Sequence, residues 1–328
     1  GPVPTAEPGL PGAAGPAPLW AALIGAGFLA GCATMPQNPP RGASAAPPRP
    51  VVALAADPLS ADLAEYYRRI EAERLAAGLM RRDSGERDAP ISASILARNY
   101  IDIALHDEYL RSNGRFRSRT TAAELRRWPG PVEYRLEFGA SVPASMRSAD
   151  HVQVGALVRQ MAQASGHPMR LLPPGLTSGG NFHVLVLSEA ERRAIGPRLE
   201  ALIPGIDPAV VRLVTDMPRE TFCLALAFSR DGNASYTEAV AIIRAEHPPL
   251  TRLACYHEEL AQGLGLANDS PRARPSIFND DQEFALLTSH DLLLLRLHHD
   301  ARLRPGMREA EARPIVFQIA SELVAGES

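Results

Sequence analysis

A nearly continuous apolar run, NFHVLVLS, extends from Asn181 to Ser188. A short run of this kind suits the central strand of a sheet. An earlier segment, PVEYRLEFG, has a different pattern, because apolar and polar residues alternate from Val132 to Phe138. This period of two predicts a strand with only one buried face. The chain therefore carries at least two strands in different environments.

Helices are predicted after each of these strands, at Ala149 to Ala164 and at Glu189 to Leu202. Two more strands are predicted at Phe222 to Phe228 and at Thr237 to Arg244, joined by a loop with an Asp-Gly turn signal. This order of elements predicts an α+β or α/β fold, in which helices flank a mixed sheet.

The residues before the sheet carry helical patterns. Helices are predicted at Asp62 to Arg81, at Ala89 to Tyr109 and at Thr120 to Trp128, where Thr121 and Glu124 have capping-box spacing. The sequence is 45% hydrophobic, and ~270 residues follow its low-complexity start, enough for one large domain or two small ones. We assign residues 58–130 to a helical lead-in and residues 131–328 to the domain that carries the sheet.

The N-terminal segment, residues 1–32, has the pattern of an export signal. The apolar run from Leu19 to Gly31 is shorter than the ~20 residues that span a bilayer, and it suits a signal-peptide core. It ends in LAGC, which resembles the lipobox of bacterial lipoproteins and implies lipid attachment to Cys32. The alternative is an ordinary buried helix with an incidental cysteine.

A Pro- and Ala-rich tether, residues 33–57, follows the LAGC motif. A lipidated cysteine, a tether and a folded domain together describe a lipoprotein at the periplasmic face of the cell envelope. Its expected partners are the membrane, through the N-terminal lipid, and an envelope protein or wall component. The net charge of −3 makes nucleic acid an improbable partner.

Three cysteines are present in the sequence. If Cys32 carries lipid, Cys223 and Cys255 remain, and an oxidising periplasm favours a disulfide between them. Two unpaired buried thiols are the alternative.

The segment CYHEELAQGLGLAND, from Cys255 to Asp269, contains HEEL, the start of the zinc-peptidase pattern H-E-x-x-H. Ala261 stands where the second His of that pattern belongs. On a helix, His257 falls on the apolar stripe, where a lone His is usually a hydrogen-bonded core residue. The opposite, polar face is predicted to carry Cys255, Glu258, Glu259 and Gln262.

A frame shifted by one residue has the spacing of the metzincin pattern H-E-x-x-H-x-x-G-x-x-H. In this frame Glu259 stands in the place of the catalytic Glu. The three His ligands are replaced by Glu258, Gln262 and Asn268, and Gly265 keeps the place of the Gly. Downstream, SIFND at Ser276 to Asp280 resembles the tight turn below a metzincin site, with Phe278 replacing the Met. LTSHDLLLLRLHHD, including Thr288 and Asp291, resembles the helix that follows.

The region from Cys255 to Met307 is similar to the bacterial family called domain of unknown function 2927. Its hallmarks are the stretch E-E-x-x-Q-x-L-G-L-x-N-D, the S-I-F-N-D turn and the motif L-T-x-x-D. A weaker similarity extends back to Arg126. The resemblance implies a zincin-like architecture for residues 131–328, without implying zinc catalysis.

The donor atoms make zinc an improbable cofactor, because zinc prefers imidazole and thiolate to amides. A hard divalent ion suits oxygen donors better: Glu258 and Gln262 would share it, with Asn268 or Asp269 closing over it. The alternative is a polar helix face that hydrogen-bonds to neighbouring backbone. Zinc held by His290, His298 and His299 has weak support, since the ends of helices commonly carry His.

The sequence is compatible with two functions. The first is a degenerate metallopeptidase-like domain that binds or scaffolds. The second is an active peptidase with an unusual site centred on Glu259.

Overall fold

The computed structural model describes residues 57–88, 90–112, 115–230, 232–279 and 281–326, with the backbone alone for residues 107–121. The LAGC motif with Cys32, and the tether up to residue 56, lie outside the described residues. None of the helices in these ranges is both long enough and apolar enough to cross a membrane.

Helices lie before, between and after the predicted strands in the described residues, and two of them, Pro208–Thr215 and Glu309–Gly326, are not among the helices that the sequence patterns assign. The described helices are α1 (Pro58–Ala76), α2 (Ala93–Ala104), α3 (Ala144–Ser165), α4 (Glu189–Arg193), α5 (Gly196–Leu202), α6 (Pro208–Thr215), α7 (Pro249–Gln262), α8 (Ser289–His298) and α9 (Glu309–Gly326). The helix predicted from Glu189 to Leu202 is divided into α4 and α5, and the second of these begins at Gly196 and Pro197. Proline lacks the N–H of a helix interior and is tolerated in a first turn, so a new helix begins there.

Two sheets are formed by the described strands. The strands are β1 (His106–Ser112), β2 (Arg115–Ala122), β3 (Val132–Phe138), β4 (Met169–Leu171), β5 (Phe182–Leu187), β6 (Cys223–Ser229) and β7 (Tyr236–Arg244). The larger sheet has the order β4-β3-β5-β7-β6, and only β6 runs antiparallel to its neighbour. The predicted fold class is confirmed: the sheet is mixed, and helices flank it.

The apolar run from Asn181 to Ser188 contains β5, at the centre of this sheet. Phe182, Val184 and Val186 face a core shared with α2, α3, α7, α8 and α9. Leu185 and Leu187 face a smaller core that includes residues of α5 and α6. Both faces of β5 are covered, which explains why its sequence is apolar at nearly every position.

The lead-in to the sheet contains more than helices. The prediction of a helix from Thr120 to Trp128 is wrong, because the first residues of this segment belong to β2, which pairs antiparallel with β1. The helix predicted from Ala89 to Tyr109 is confirmed only between Ala93 and Ala104. Its C-terminal part forms β1 instead, since the hairpin supplies backbone partners that a helix would otherwise provide.

Candidate functional site

A cavity of about 160 Å³ lies between α7 and the edge strand β6. It is lined by four of the predicted oxygen-donor residues, Glu258, Glu259, Gln262 and Asp269. The other lining residues are Cys223, Leu224, Ala225, Ala227, Tyr236, Gly263 and Ala267. The helix and the strand therefore bring the predicted acidic residues together on one wall of a groove.

The wall of the cavity formed by β6 carries small side chains. Cys223, Ala225 and Ala227 alternate along β6 with larger residues that belong to the smaller core on the other face of the sheet. Small side chains on one face leave space beside α7. The alternation CLALAF was visible in the sequence, and it could have identified β6 as part of the site.

The start of α7 is held by contacts from α1 and α3. Pro248 provides no side-chain cap, and a carboxylate oxygen of Glu71 instead accepts hydrogen bonds from the backbone N and the hydroxyl of Thr251, at 2.8 and 2.7 Å. A carboxylate at a helix N-terminus also interacts favourably with the helix dipole. This contact fixes where α7 begins.

One side of α7 is fixed by a buried ion pair. Arg252 donates two hydrogen bonds to Asp150 of α3, at 2.7 and 3.0 Å, and Tyr256 donates a third at 2.8 Å. Burial raises the pKa of Tyr256 well above its usual value, so the hydroxyl stays protonated as a donor. The polar group that sequence reasoning missed here is Asp150, because no local pattern links it to a helix 102 residues away.

The end of α7 is equally constrained. Trp128 donates a hydrogen bond of 2.9 Å to the carbonyl of Gly263. Gly265 then takes a φ of +126°, and a Cβ at this position would lie 2.4 Å from the carbonyl oxygen of Arg126. Gly265, which keeps the place of the Gly in the metzincin spacing, thus lies in a tight turn just after α7, which ends at Gln262.

Strand β6 and helix α7 are joined covalently. The sulfurs of Cys223 and Cys255 form a disulfide in the structure, as the cysteine arithmetic predicted. Cys255 is 3% exposed, whereas Cys223 is half-buried and lines the cavity. The disulfide therefore forms one end of the groove.

The two adjacent carboxylates differ in environment. Glu258 is half-buried, and Arg74 of α1 lies close enough to interact with it electrostatically. Glu259 is only 4% exposed and Cys255 only 3%, so the predicted polar face of α7 is wrong as a solvent-facing surface for these two residues. The reason is tertiary: β6 and the disulfide cover that face of α7. One carboxylate oxygen from each Glu lies within 4.8 Å of the sulfur of Cys223.

The predicted amide ligands are divided between two places. Gln262 lines the cavity and donates a hydrogen bond of 3.2 Å to Asp269. Asn268 is 3% exposed and does not line the cavity; its amide donates to the carbonyls of Asp102 and Asp269 at 2.9 and 2.8 Å. Asn268 thus ties the loop after α7 to α2.

The four histidines near the predicted site, His257, His290, His298 and His299, are buried or partly buried. His257 is 8% exposed and accepts a hydrogen bond of 3.1 Å from the backbone of Leu287, which confirms its assignment to the core. Burial lowers the pKa of His257 to about 4, so it is neutral at pH 7. His290 hydrogen-bonds to Asn99. His298 hydrogen-bonds to Tyr100 and to the carbonyl of Leu264, and His299 hydrogen-bonds to the carbonyl of Leu295. None of the four is among the residues that line the cavity.

The turn below the site is anchored to α8. Thr288 and Asp291 form a capping box at the start of this helix. The Asp291 carboxylate also accepts hydrogen bonds from the hydroxyl of Ser276 and the backbone of Ile277, within the SIFND segment. Phe278 is fully buried, and its carbonyl accepts a hydrogen bond of 2.8 Å from Ser270. The turn therefore supports the loop that carries Asp269.

The donors in the cavity do not fit zinc while the disulfide is intact. A disulfide sulfur is not a thiolate, and the remaining lining donors are carboxylate and amide oxygens. We therefore derive no hydrolytic step through a zinc ion. The groove instead offers an acidic wall, a row of small side chains and a strand edge.

Comparison of the chain with curated proteins and with solved structures finds no match. The sequence model of one family does match, over residues 93–318, and its description is "Protein of unknown function (DUF2927)". The match begins at α2 and includes both walls of the cavity, the disulfide and the turn at Phe278. By this measure the chain belongs to the DUF2927 family.

Proposed function

We propose that the protein is a lipid-anchored component of the cell envelope, whose zincin-like domain binds an extended peptide without cleaving it. The peptide lies in the groove between β6 and α7. The observation that carries this proposal is the position of the cavity along an edge strand of the sheet.

An edge strand supports peptide binding because its outer backbone groups can pair with an added strand. Among the described strands, β6 pairs with β7 alone. A peptide beside β6 would place alternate side chains towards α7, above Ala225 and Ala227. An engineered apolar cavity of ~150 Å³ holds a benzene molecule, so the cavity here accommodates about one side chain.

The charge of the groove indicates which side chain fits it. Glu258, Glu259 and Asp269 line the cavity, and Arg74 offsets part of their charge from the α1 side. A Lys or Arg of the peptide would complement this wall, since complementary charges contribute to specificity more than to raw affinity. The preferred peptide therefore carries one basic residue between two small or apolar ones.

A binding role is favoured over hydrolysis by the donor chemistry of the cavity. In zinc peptidases a bound zinc ion activates the water that a Glu carboxylate deprotonates, and this lining supplies neither an imidazole nor, with the disulfide intact, a thiolate to hold that ion. The alternative is an active peptidase in which Glu259 is the base. The two functions predict different fates for the same peptide.

The test incubates purified protein with a pool of random decapeptides fixed as Arg at one central position. Amide hydrogen exchange then reports on β6, and mass spectrometry reports whether the peptides are intact. Slower exchange in residues 223–229 with intact peptides supports the proposal. Cleavage that is lost in Glu259→Gln supports the peptidase, and unchanged exchange with intact peptides contradicts both.

A matched pair of substitutions tests the position of the peptide. Ala225→Leu fills the groove and should remove the protection of β6. Ala201→Leu makes the same change at an exposed position on α5 and should leave it intact. Equal behaviour of the two variants would place the peptide elsewhere.

The anchor is tested separately, because Cys32 lies outside the described residues. Cells are labelled with a palmitate analogue, and the wild-type chain is compared with Cys32→Ser. Label on the wild type alone supports lipidation at the LAGC motif. Equal label on both chains removes the anchor from the proposal.

A further inference from the structure

We propose that reduction of the Cys223–Cys255 disulfide converts the cavity into a zinc site, with the Cys223 thiolate, Glu258 and Glu259 as protein ligands. This inference does not depend on peptide binding. It assigns the disulfide a function beyond holding β6 against α7.

The three donors already converge. The sulfur of Cys223 and one oxygen each of Glu258 and Glu259 lie within 4.8 Å of one another. Zinc bonds of ~2.3 Å to sulfur and ~2.0–2.2 Å to oxygen place tetrahedral donors roughly 3.5 Å apart. Side-chain displacements of about one ångström would therefore bring the three donors to tetrahedral spacing.

The redox state decides whether the sulfur is a ligand. In the disulfide, both sulfurs are bonded to each other, and neither is a thiolate. Zinc then finds only oxygen donors, which it binds weakly relative to thiolate. A thiolate and two carboxylates supply three zinc ligands and leave a fourth position for water.

The reduction is chemically balanced with a dithiol as the reductant. Its first thiolate attacks the sulfur of Cys223, the S–S bond breaks, and Cys255 leaves as a thiolate that takes up a proton. The second thiol of the reductant attacks the mixed disulfide and releases Cys223. Two electrons pass to the protein, and the reductant leaves as a cyclic disulfide.

The attack is directed to Cys223 by exposure. Cys223 lines the cavity and is half-buried, whereas Cys255 is 3% exposed and faces the core. The sulfur that a reductant reaches first is thus the sulfur that lies beside the two carboxylates. Zinc then displaces the thiol proton from Cys223.

Electrostatics couples the two events. In the reduced protein without metal, a Cys223 thiolate would face the charges of Glu258 and Glu259 at short distance. A divalent cation removes this repulsion, so zinc stabilises the reduced state and should bind it preferentially. Zinc at 100 times its Kd would shift the dithiol–disulfide equilibrium about 100-fold, which is about 59 mV for a two-electron couple.

The experiment measures zinc content in the full chain carrying Cys32→Ser, which removes the third thiol. Oxidised protein and protein reduced with a non-chelating phosphine are loaded with zinc and desalted without oxygen. We expect near-stoichiometric zinc in the reduced sample and little in the oxidised sample. Cobalt in place of zinc should give thiolate-to-metal charge-transfer absorption in the reduced sample alone.

Two cysteine variants form the matched control, because both lack the disulfide. Cys255→Ser keeps the Cys223 thiol and should bind zinc without any reductant. Cys223→Ser should bind little zinc in either condition. Glu258→Gln and Glu259→Gln should each weaken zinc binding by at least about tenfold.

Three outcomes would overturn the inference. They are equal zinc in oxidised and reduced protein, equal zinc in the two cysteine variants, and unchanged affinity in both Glu variants. Because no peptide is used, failure here leaves the peptide proposal standing. Failure of the peptide experiment likewise leaves the zinc titration unaffected.

Discussion

The buried pair between Arg252 and Asp150 gives the sharpest stability prediction, because it fixes the orientation of the site helix. The Asp150 side chain is 1% exposed and that of Arg252 is 6% exposed. Asp150→Asn keeps the shape of the side chain and removes its charge. Arg252 then retains the carbonyl of His247, at 2.7 Å, without a counter-ion.

The expected loss follows from the desolvation of Arg252. Removing one partner of a buried ion pair typically lowers the free energy of unfolding by about 3–5 kcal/mol. Asn keeps one carbonyl acceptor, so we expect the lower end, about 3 kcal/mol. For a domain of this size that corresponds to a decrease in Tm of roughly 6 °C or more. Tyr256→Phe removes only one hydrogen bond to the same carboxylate, and the expected loss is about 1.5 kcal/mol.

Urea denaturation with the disulfide intact, followed by circular dichroism, measures these changes. The control is Glu124→Gln, which breaks the exposed pair with Arg308, whose side chains are 47% and 79% exposed. Exposed pairs contribute about 0–1 kcal/mol, so this variant should unfold near the wild-type midpoint. If Asp150→Asn loses no more stability than Glu124→Gln, the ion pair does not hold α7 as argued.

Three further predictions concern the pH dependence, the disulfide and the chain reversal. Burial lowers the pKa of His257 from 6.5 to about 4, so the unfolded chain binds the extra proton and the free energy of unfolding should fall as pH drops from 6.5 to 4. His257→Gln should reduce the slope of the unfolding free energy against pH by about 1.4 kcal/mol per pH unit. Burial raises the pKa of Asp291 to about 6, so Asp291 contributes a slope of opposite sign below pH 6 in both proteins. An unchanged slope in the variant would contradict a neutral buried ring. Replacing both Cys223 and Cys255 with Ala should lower the unfolding free energy by roughly 3–4 kcal/mol in the chain-entropy model for a separation of 32 residues, and a urea midpoint equal to that of wild type would argue against it. Gly265→Ala should lose more than about 2 kcal/mol, because its φ and the nearby backbone oxygen both exclude a Cβ; retention of the wild-type Tm would refute this.

Sequence reasoning succeeded where local pattern and burial agree. The apolar run of β5 and the helical stripe containing His257 are both local sequence patterns, and the structure confirms both. The disulfide followed from counting cysteines. The alternation of small and large residues in the sequence of β6 also predicts a strand with one face of small side chains.

The failures arose where distant segments decide local structure. The helical pattern that begins at Thr120 includes Thr121 and Ala122, yet these two residues pair with Asp107 and His106 of β1, and the sequence between the two strands is Asn113-Gly114. Asn-Gly is the strongest short hairpin signal, and it outweighs the capping-box spacing of Thr121 and Glu124. The burial of Glu259 had no local signal, because β6 covers it from elsewhere in the chain.

The contacts made by α1 determine where the minimal folding unit begins. The family match starts at residue 93, after α1. A chain shortened to that point would lose the Glu71 cap on α7. It would also lose Tyr67, whose ring lies 5.1 Å from that of Phe222 and 4.3 Å from that of His247. Truncation at the family boundary would thus leave an aromatic surface uncovered beside the groove, and a soluble, autonomous fragment has to reach back to Pro58.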